Sequence, residues 1–394
     1  MKPTLTLIAA STMLAALAIA QPGKDPHYTV TDLGVVPDGT FSYAGVISNS
    51  GRIAGYASPA DGTWRAVLWL NGQLKNIGTP GLGGQNSEAF GINLFGQASG
   101  EAQTTIKDPN GEDFCGFKAL GLPSTGTTCL GFVWQDGVMT ALPTLGGPNG
   151  SADSINGLGE ITGYAENRAK DPSCPSPQIY QFKPVVWKQQ KIHELPTYPG
   201  DPEGYALGIN DFGQVVGASG SCAPFNPNSQ VYLMPVHPLL WQGDGSVTHL
   251  PTLGGSGNVF GNSACAINNR GQAVGQSDVT GDTTGHGVLW QNGAAIDLGV
   301  FPGDFASLAF NINDFGQVIG TSIDGGFNLR AVLWQHPEPG NPSTPLDLNT
   351  LIPANSGLQL QLAEGLNDFG EIVGFAVQTS SGQTHGFLLT PRRP

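Results

Sequence analysis

The sequence predicts an all-β fold, a seven-bladed β-propeller of four-stranded antiparallel blades closed by its own N-terminal strand. Three observations predict it. A phrase of the form Ile-Asn-x-x-Gly recurs seven times, ending at Gly51, Gly96, Gly159, Gly213, Gly271, Gly316 and Gly370. Each copy is followed by a short apolar run that closes on tryptophan in all but one case, such as Val288-Leu289-Trp290. The chain opens on the type of strand that elsewhere ends a repeat, and it finishes without one. Repeats of this length are units that cannot bury their own faces and must stack.

The first 20 residues read as a secretory leader. Lys2 supplies the positive start, Leu5–Ile19 the apolar stretch and Ala18-Ile19-Ala20 the small-x-small cleavage site, so Gln21 begins the expected mature chain. The stretch is shorter than the roughly 20 apolar residues a membrane span needs. Localisation is therefore expected to be secreted, periplasmic or extracellular, with residues 21–394 forming one propeller domain.

Strand 28–34 comes next and has the pattern of an outer strand. In the fourth repeat, the innermost strand is expected at Tyr205–Ile209. Asn210-Asp211-Phe212-Gly213 then makes a type I turn with glycine in the left-handed position. The second strand is Gln214–Ser219, the third Pro238–Trp241, and the outer one His249–Leu253. Asn71-Gly72, Asp136-Gly137 and Asn292-Gly293 are two-residue hairpin signals between third and outer strands. An alanine recurs on every innermost strand: Ala44, Ala89, Ala152, Ala206, Ala264, Ala309 and Ala363. The second glycine, four residues after the first, is equally regular, from Gly55 to Gly374. The last blade, 354–390, lacks an outer strand, and residues 28–34 would complete it. An open β-solenoid would leave that first strand unexplained.

Strand direction puts the tight Asn-x-x-Gly turns on one face, expected to be silent. The connections between second and third strands lie on the other. Three of these are long, 103–129, 166–182 and 220–236, in consecutive blades 2 to 4. Long loops on a rigid scaffold are where binding concentrates. They hold four of the five cysteines, and export permits bridges. Cys115 with Cys129, and Cys174 with Cys222, are the candidate pairs, leaving Cys265 as a small apolar residue.

The position opening the third strand is Arg65, Lys183, His237, His286, Arg330 or His385, with Leu130 as the exception. As a ring these six would suit acidic sugars or carboxylates. As fold elements, each would pair with an acid or carbonyl of its own blade. Asp38, Asp201 and Asp304 lie in the loops entering the innermost strands. They shape turns there, or hold calcium, the one ion such carboxylates suggest in a chain with no metal or cofactor motif. The formal charge of −14 disfavours nucleic acid and anionic membranes.

The repeat resembles the HAF-repeat family of exported bacterial proteins. Its carriers are Leu253-Gly254-Gly255, Ile267-Asn268-Asn269-Arg270-Gly271-Gln272-Ala273-Val274-Gly275 and His286-Gly287-Val288-Leu289-Trp290. The family's own His-Ala-Phe triplet is absent; His286-Gly287-Val288 and His385-Gly386-Phe387 come nearest. The resemblance implies an extracellular location and no catalytic residues. Three functions follow: a monomeric binding or scaffold module for an envelope glycan or protein on the long-loop face; a polysaccharide hydrolase or lyase using Asp201 and Asp304 with His237 or His286; or a structural envelope protein.

Overall fold

The computed structural model describes residues 27–118, 120–174, 176–222, 233–338 and 344–392. The expected leader and most of the third long loop lie outside these residues. The described chain is all-β. After β1 (Tyr28–Asp32) the strands fall into four-stranded units. Unit 1 is β2 (Phe41–Ile47), β3 (Ile53–Ser58), β4 (Arg65–Leu70) and β5 (Gln73–Asn76). Unit 2 is β6 (Gly83–Ile92), β7 (Ala98–Lys107), β8 (Thr127–Gln135) and β9 (Val138–Ala141). Unit 3 is β10 (Gly150–Ile155), β11 (Ile161–Lys170), β12 (Tyr180–Lys188) and β13 (Lys191–Glu194). Unit 4 is β14 (Glu203–Ile209), β15 (Val215–Cys222), β16 (Leu233–Trp241) and β17 (Val247–His249). Unit 5 is β18 (Ser263–Ile267), β19 (Ala273–Asp278), β20 (Gly285–Gln291) and β21 (Ala294–Asp297). Unit 6 is β22 (Ala306–Ile312), β23 (Gln317–Ile323), β24 (Leu329–Gln335) and β25 (Leu346–Asp347). The seventh unit has three strands of its own, β26 (Leu358–Leu366), β27 (Ile372–Gln378) and β28 (Thr384–Pro391).

Its fourth strand is β1, which pairs antiparallel with β28 from Tyr28↔Pro391 to Asp32↔Phe387. Units 7 and 1 also meet at one parallel bridge, Phe41↔Thr384. They therefore run together as an eight-stranded sheet, beside five four-stranded ones. Each unit's first strand contacts the first strands of both neighbours, β26 with β2 included.

Two positions of the expected strands shift. The outer strands end earlier than the leucine or isoleucine that marked them. Ile77, Leu142, Leu195, Leu250 and Leu298 follow β5, β9, β13, β17 and β21, each still donating its N–H to the third strand. The long loops are shorter than their sequence spans, because β7, β8, β11, β12, β15 and β16 run out into them as extended hairpin arms.

The repeat's fixed residues each have a packing reason. Ala44 pairs with Gly55, and the same Ala–Gly pair recurs in every unit. All seven alanines are at most 1 % exposed. A Cβ on Gly55, Gly100, Gly163, Gly217, Gly275, Gly320 or Gly374 would run into the main-chain carbonyl of the residue before that alanine. In five of the seven units the strand tryptophan pins the unit to the one before. Trp69, Trp187, Trp241, Trp290 and Trp334 donate their indole N–H to Leu33, Pro143, Pro196, Pro251 and Leu298, at 2.7–3.0 Å.

The turn asparagine does most. Asn210 Oδ1 accepts from Phe212 N and Gln214 N, while Nδ2 donates to Gln214 Oε1 and to Asn268 O of the next unit. Asn93, Asn156, Asn268, Asn313 and Asn367 make the same step onward, the last reaching Ser48 O. The following residue adds a second circuit: Gly157 N, Asp211 N, Asn269 N, Asp314 N and Asp368 N donate to Asp211, Asn269, Asp314, Asp368 and Asn49 in turn. Every glycine closing these turns has φ between 73° and 84°, the left-handed region glycine enters without strain.

Candidate functional site

The residues flanking each Ala–Gly pair form a second cross-strand pair, and this one is not repeated. Its members are Tyr43↔Tyr56, Glu88↔Glu101, Ser151↔Tyr164, Tyr205↔Ala218, Ser263↔Gln276, Leu308↔Thr321 and Leu362↔Phe375. One register position therefore changes chemistry from unit to unit, and only in unit 2 does it set two acids against each other. Facing side chains of such a pair stand about 5 Å apart at Cβ.

In unit 1 the rings stack. Tyr43 lies 4.8 Å from Tyr56 between ring centres, Tyr56 4.7 Å from Trp64, and Phe41 5.5 Å from Trp64 at 4° between planes. Phe375 of unit 7 closes on Tyr43 at 5.4 Å. Phe41, Tyr43, Tyr56 and Trp64 are all half-buried, so ring surface stays open. Phe41 begins β2 and Trp64 precedes β4, which puts the stack at the long-loop end of the strands.

Beside it sit Glu88 and Glu101, 6 % and 5 % exposed. Neither is in an ion pair among the described residues, and neither Glu88 carboxyl oxygen has a hydrogen-bond partner there. Burial pushes Glu88 up to about 8. Burial, then the charge of Glu88, push Glu101 well above the usual carboxylate range. The field reaches their neighbours: burial first, then Glu88 and Glu101, raise the Tyr56 phenol, and burial with Glu101 and Asp153 raises Tyr164. Asp153 itself is pushed up to about 8 by burial, and Asp153 Oδ2 has no partner. Paired carboxyls without a counter-charge are held neutral at neutral pH. They can then donate as well as accept hydrogen bonds.

Buried polar residues hold the loops around this site. Asn86 Oδ1 takes the N–H of Trp64, and Asn86 Nδ2 bridges to Gln103 and Pro123. At the equivalent place in unit 3, Asn149 takes the N–H of Cys129 and donates to Asp108, Glu112 and Glu166. In unit 4, Glu203 takes the N–H of Phe182 at 2.7 Å. Burial and the adjoining Glu112 carboxyl push Glu166 up to about 10. Phe114, Phe117, Cys129 and Phe182 make a separate core against Trp64 and Tyr164. Two disulfides join the arms, Cys115–Cys129 within the unit 2 loop and Cys174–Cys222 between units 3 and 4. Cys265 stands free on β18, its thiol pushed up to about 12 by burial.

The basic residues opening the third strands are all engaged within the fold. Arg65 meets Asp61 at 3.7 Å, and Lys183 donates to Pro202 O. His237 Nδ1 lies 2.8 Å from Asp201 and stacks on Tyr198. His286 lies 2.9 Å from Asp297, and His385 2.8 Å from Asp32. Arg330 bridges Asp304 and Asp347 over the ring of Phe301. Asp297, Asp347 and Asp32 all lie on outer strands, so three units use one cross-strand pairing. Asp201, Asp304, His237 and His286 are thus spread over three such pairs and are not brought into one pocket. Asp38, Asp201 and Asp304 each lie in a tight turn. Two sets of close His, Cys, Asp or Glu ligand atoms occur among the described residues, Asp171–Cys174–Glu203–Cys222 and Glu101–Cys115–Cys129. In both, the sulfurs are consumed by disulfides.

Sequence reasoning missed Glu88, Glu101, Tyr43, Tyr56 and Trp64. The signal was available: reading the residue before each repeated alanine and after each second glycine isolates the variable pair.

No family model matches this chain, and no curated protein matches it. Among solved structures it is similar to the β-propeller domain of the Trilobed protease from Pyrococcus furiosus, at 10 % identity over 88 % of this chain and 95 % of that one, TM-score 0.47. It is also similar to AofleA from Arthrobotrys oligospora, at 11 % identity over 81 % and 89 %, TM-score 0.37. A third is the six-bladed fucose-recognising lectin of Aleuria aurantia, at 9 % identity over 93 % and 98 %, TM-score 0.29.

Proposed function

We propose that this chain is an exported, carbohydrate-binding β-propeller of seven blades, and that it holds a neutral saccharide between the unit 1 aromatic stack and the Glu88–Glu101 pair. Seven closed blades are supported by the β1–β28 pairing and by the amide circuit that runs from Asn367 to Ser48. Export is supported by the leader-like first 20 residues and by two disulfides, which persist in oxidising compartments. No helix among the described residues is long and apolar enough to cross a membrane. Membership of the HAF-repeat family remains part of this proposal.

The observation that carries the ligand class is the juxtaposition of stacked, part-exposed rings with two buried carboxyls that lack a counter-charge among the described residues, Glu88 without a hydrogen-bond partner there as well. A pyranose has an apolar C–H face and a rim of hydroxyls. The rings suit the face, and carboxyls with free acceptor and donor capacity suit the rim; few polar groups on an apolar lining is the usual make-up of a small-molecule site. An acidic sugar would bring a negative charge into a buried site with no cation to pair it among the described residues, so neutral sugars are favoured over uronic acids. Hydrolysis is less well supported, because a glycosidase needs one of its two carboxyls ionised and no cation among the described residues is paired with either.

The test is a panel of neutral hexoses, N-acetylhexosamines and uronic acids, read by thermal shift. A ligand of the native state raises its melting temperature. A neutral sugar should raise it, and Trp64→Ala or Glu88→Leu, which removes the hydrogen-bonding groups, should remove the rise. Stabilisation by uronic acids alone would return the argument to Arg65, Lys183 and the other basic residues.

A further inference from the structure

The turn face, expected to be silent, carries most of the strongly exposed phenylalanines among the described residues. Four of the five are Phe95, Phe212, Phe315 and Phe369, at 68, 70, 56 and 64 %. All occupy the third position of the Asn-x-x-Gly turn. Leu158, 73 % exposed, takes that place in unit 3, with Leu94 beside Phe95 at 45 %. The turn does not require them. Its geometry is set by the asparagine and by the left-handed glycine, and Ser50 and Arg270 fill the same position in units 1 and 5 without altering it.

From this we propose that the turn face is a self-association surface, on which a second copy of this chain docks face to face. An aromatic side chain buries about 150–250 Å², so the six exposed residues together offer on the order of 700 Å² of apolar surface. A stable interface needs about 800 Å² from each partner, and these six residues supply most of that area. Lone monomers rarely expose so much apolar surface in one region. The charges select the occupant. Arg270 stands exposed on the turn face and its guanidinium has no ion-pair partner among the described residues. The acids Asp211, Asp314 and Asp368 lie on the same face. A two-fold arrangement sets Arg270 of each copy against that acidic arc of the other, an isologous contact of the commonest kind. An anionic lipid surface would instead meet the three aspartates, and its charge would be repelled.

Sedimentation velocity of the purified chain from about 1 to 100 µM tests this. The expected result is a mass that doubles with concentration. A triple Phe212→Ser, Phe315→Ser, Phe369→Ser variant should stay monomeric with an unchanged melting temperature, since serine already occupies this site in unit 1. Arg270→Glu should weaken association by at least about tenfold, or about 1.4 kcal/mol, without touching the apolar ring. A wild type that stays monomeric throughout overturns the proposal, as does a dimer that the triple variant preserves. Flotation of monomer with phosphatidylcholine vesicles, abolished by the same serines, would overturn it in favour of lipid. The saccharide site lies at the opposite ends of the strands, so its thermal shift should be the same in the triple variant; failure of one reading leaves the other standing.

Discussion

The turn face and the long-loop face are built from the same strands and obey opposite rules. On the turn face, chemistry is repeated: six asparagines make the same inter-unit bond, and the glycine that follows takes the same φ in every copy. At the other end, the cross-strand pair beside the invariant Ala–Gly pair changes from Tyr–Tyr to Glu–Glu to Ser–Tyr in successive units. Repetition from unit to unit satisfies the backbone and fixes the fold. Departure from repetition at an equivalent position has no such duty, and it is where buried carboxyls without a counter-charge are tolerated.

The largest effect should come from breaking the repeated end. Gly217→Ala drives a Cβ into Tyr205 O, and Asn210→Ala strands two N–H groups and removes the bond to the Asn268 carbonyl of the next unit. Each should cost about 2–4 kcal/mol, read by urea denaturation, with saccharide affinity per folded molecule unchanged. Next in size is the pH dependence of the variable end. Glu88 and Glu203 are pushed to about 8 and Glu166 to about 10, from an ordinary 4.5. Between those values the folded chain binds more protons than the unfolded one. The stability these groups contribute is therefore complete below about pH 4.5 and falls as pH rises toward 8. The melting temperature should be higher at pH 5.5 than at pH 8. Glu166→Gln should flatten that slope by up to about 1.4 kcal/mol per pH unit. A smaller effect separates binding from folding: Trp64→Ala should weaken saccharide binding by about tenfold, roughly 1.4 kcal/mol. The smallest is expected at the basic position of the third strands. His286→Ala breaks a half-exposed pair with Asp297 and should cost no more than about 1 kcal/mol, with binding intact. A loss of binding there would blur the distinction between the two ends.

Much of the architecture was legible because a repeated residue has one job. The Asn-x-x-Gly turns, the type I′ hairpins at Asn71-Gly72, Asp136-Gly137 and Asn292-Gly293, both cysteine pairings, and the pairing of the first strand with the last unit were readable from spacing and turn chemistry. The limits of the hairpin arms were not: β7 and β11 run to Lys107 and Lys170 with polar sequences that give no period-2 signal. The site escaped for a related reason. Glu88 and Glu101 are polar residues on strands whose neighbours are apolar, and sequence alone does not show that two glutamates 13 positions apart face each other with nothing to neutralise them. The asparagine was read as a turn former, and its reach to the next unit depends on a distance that only the assembled ring supplies. The phenylalanine next to it was read as part of the turn, although Ser50 and Arg270 already showed that the turn does not need it.

The most direct test of saccharide binding at the variable pair is a titration of the purified chain at pH 7 with the neutral sugar that gives the largest thermal shift, followed by calorimetry on wild type, Glu88→Leu and His286→Ala. Binding that is lost or reduced about tenfold in Glu88→Leu and unchanged in His286→Ala is the predicted result. Binding that survives in Glu88→Leu and falls in His286→Ala would contradict it, and would place the ligand on the basic positions of the third strands.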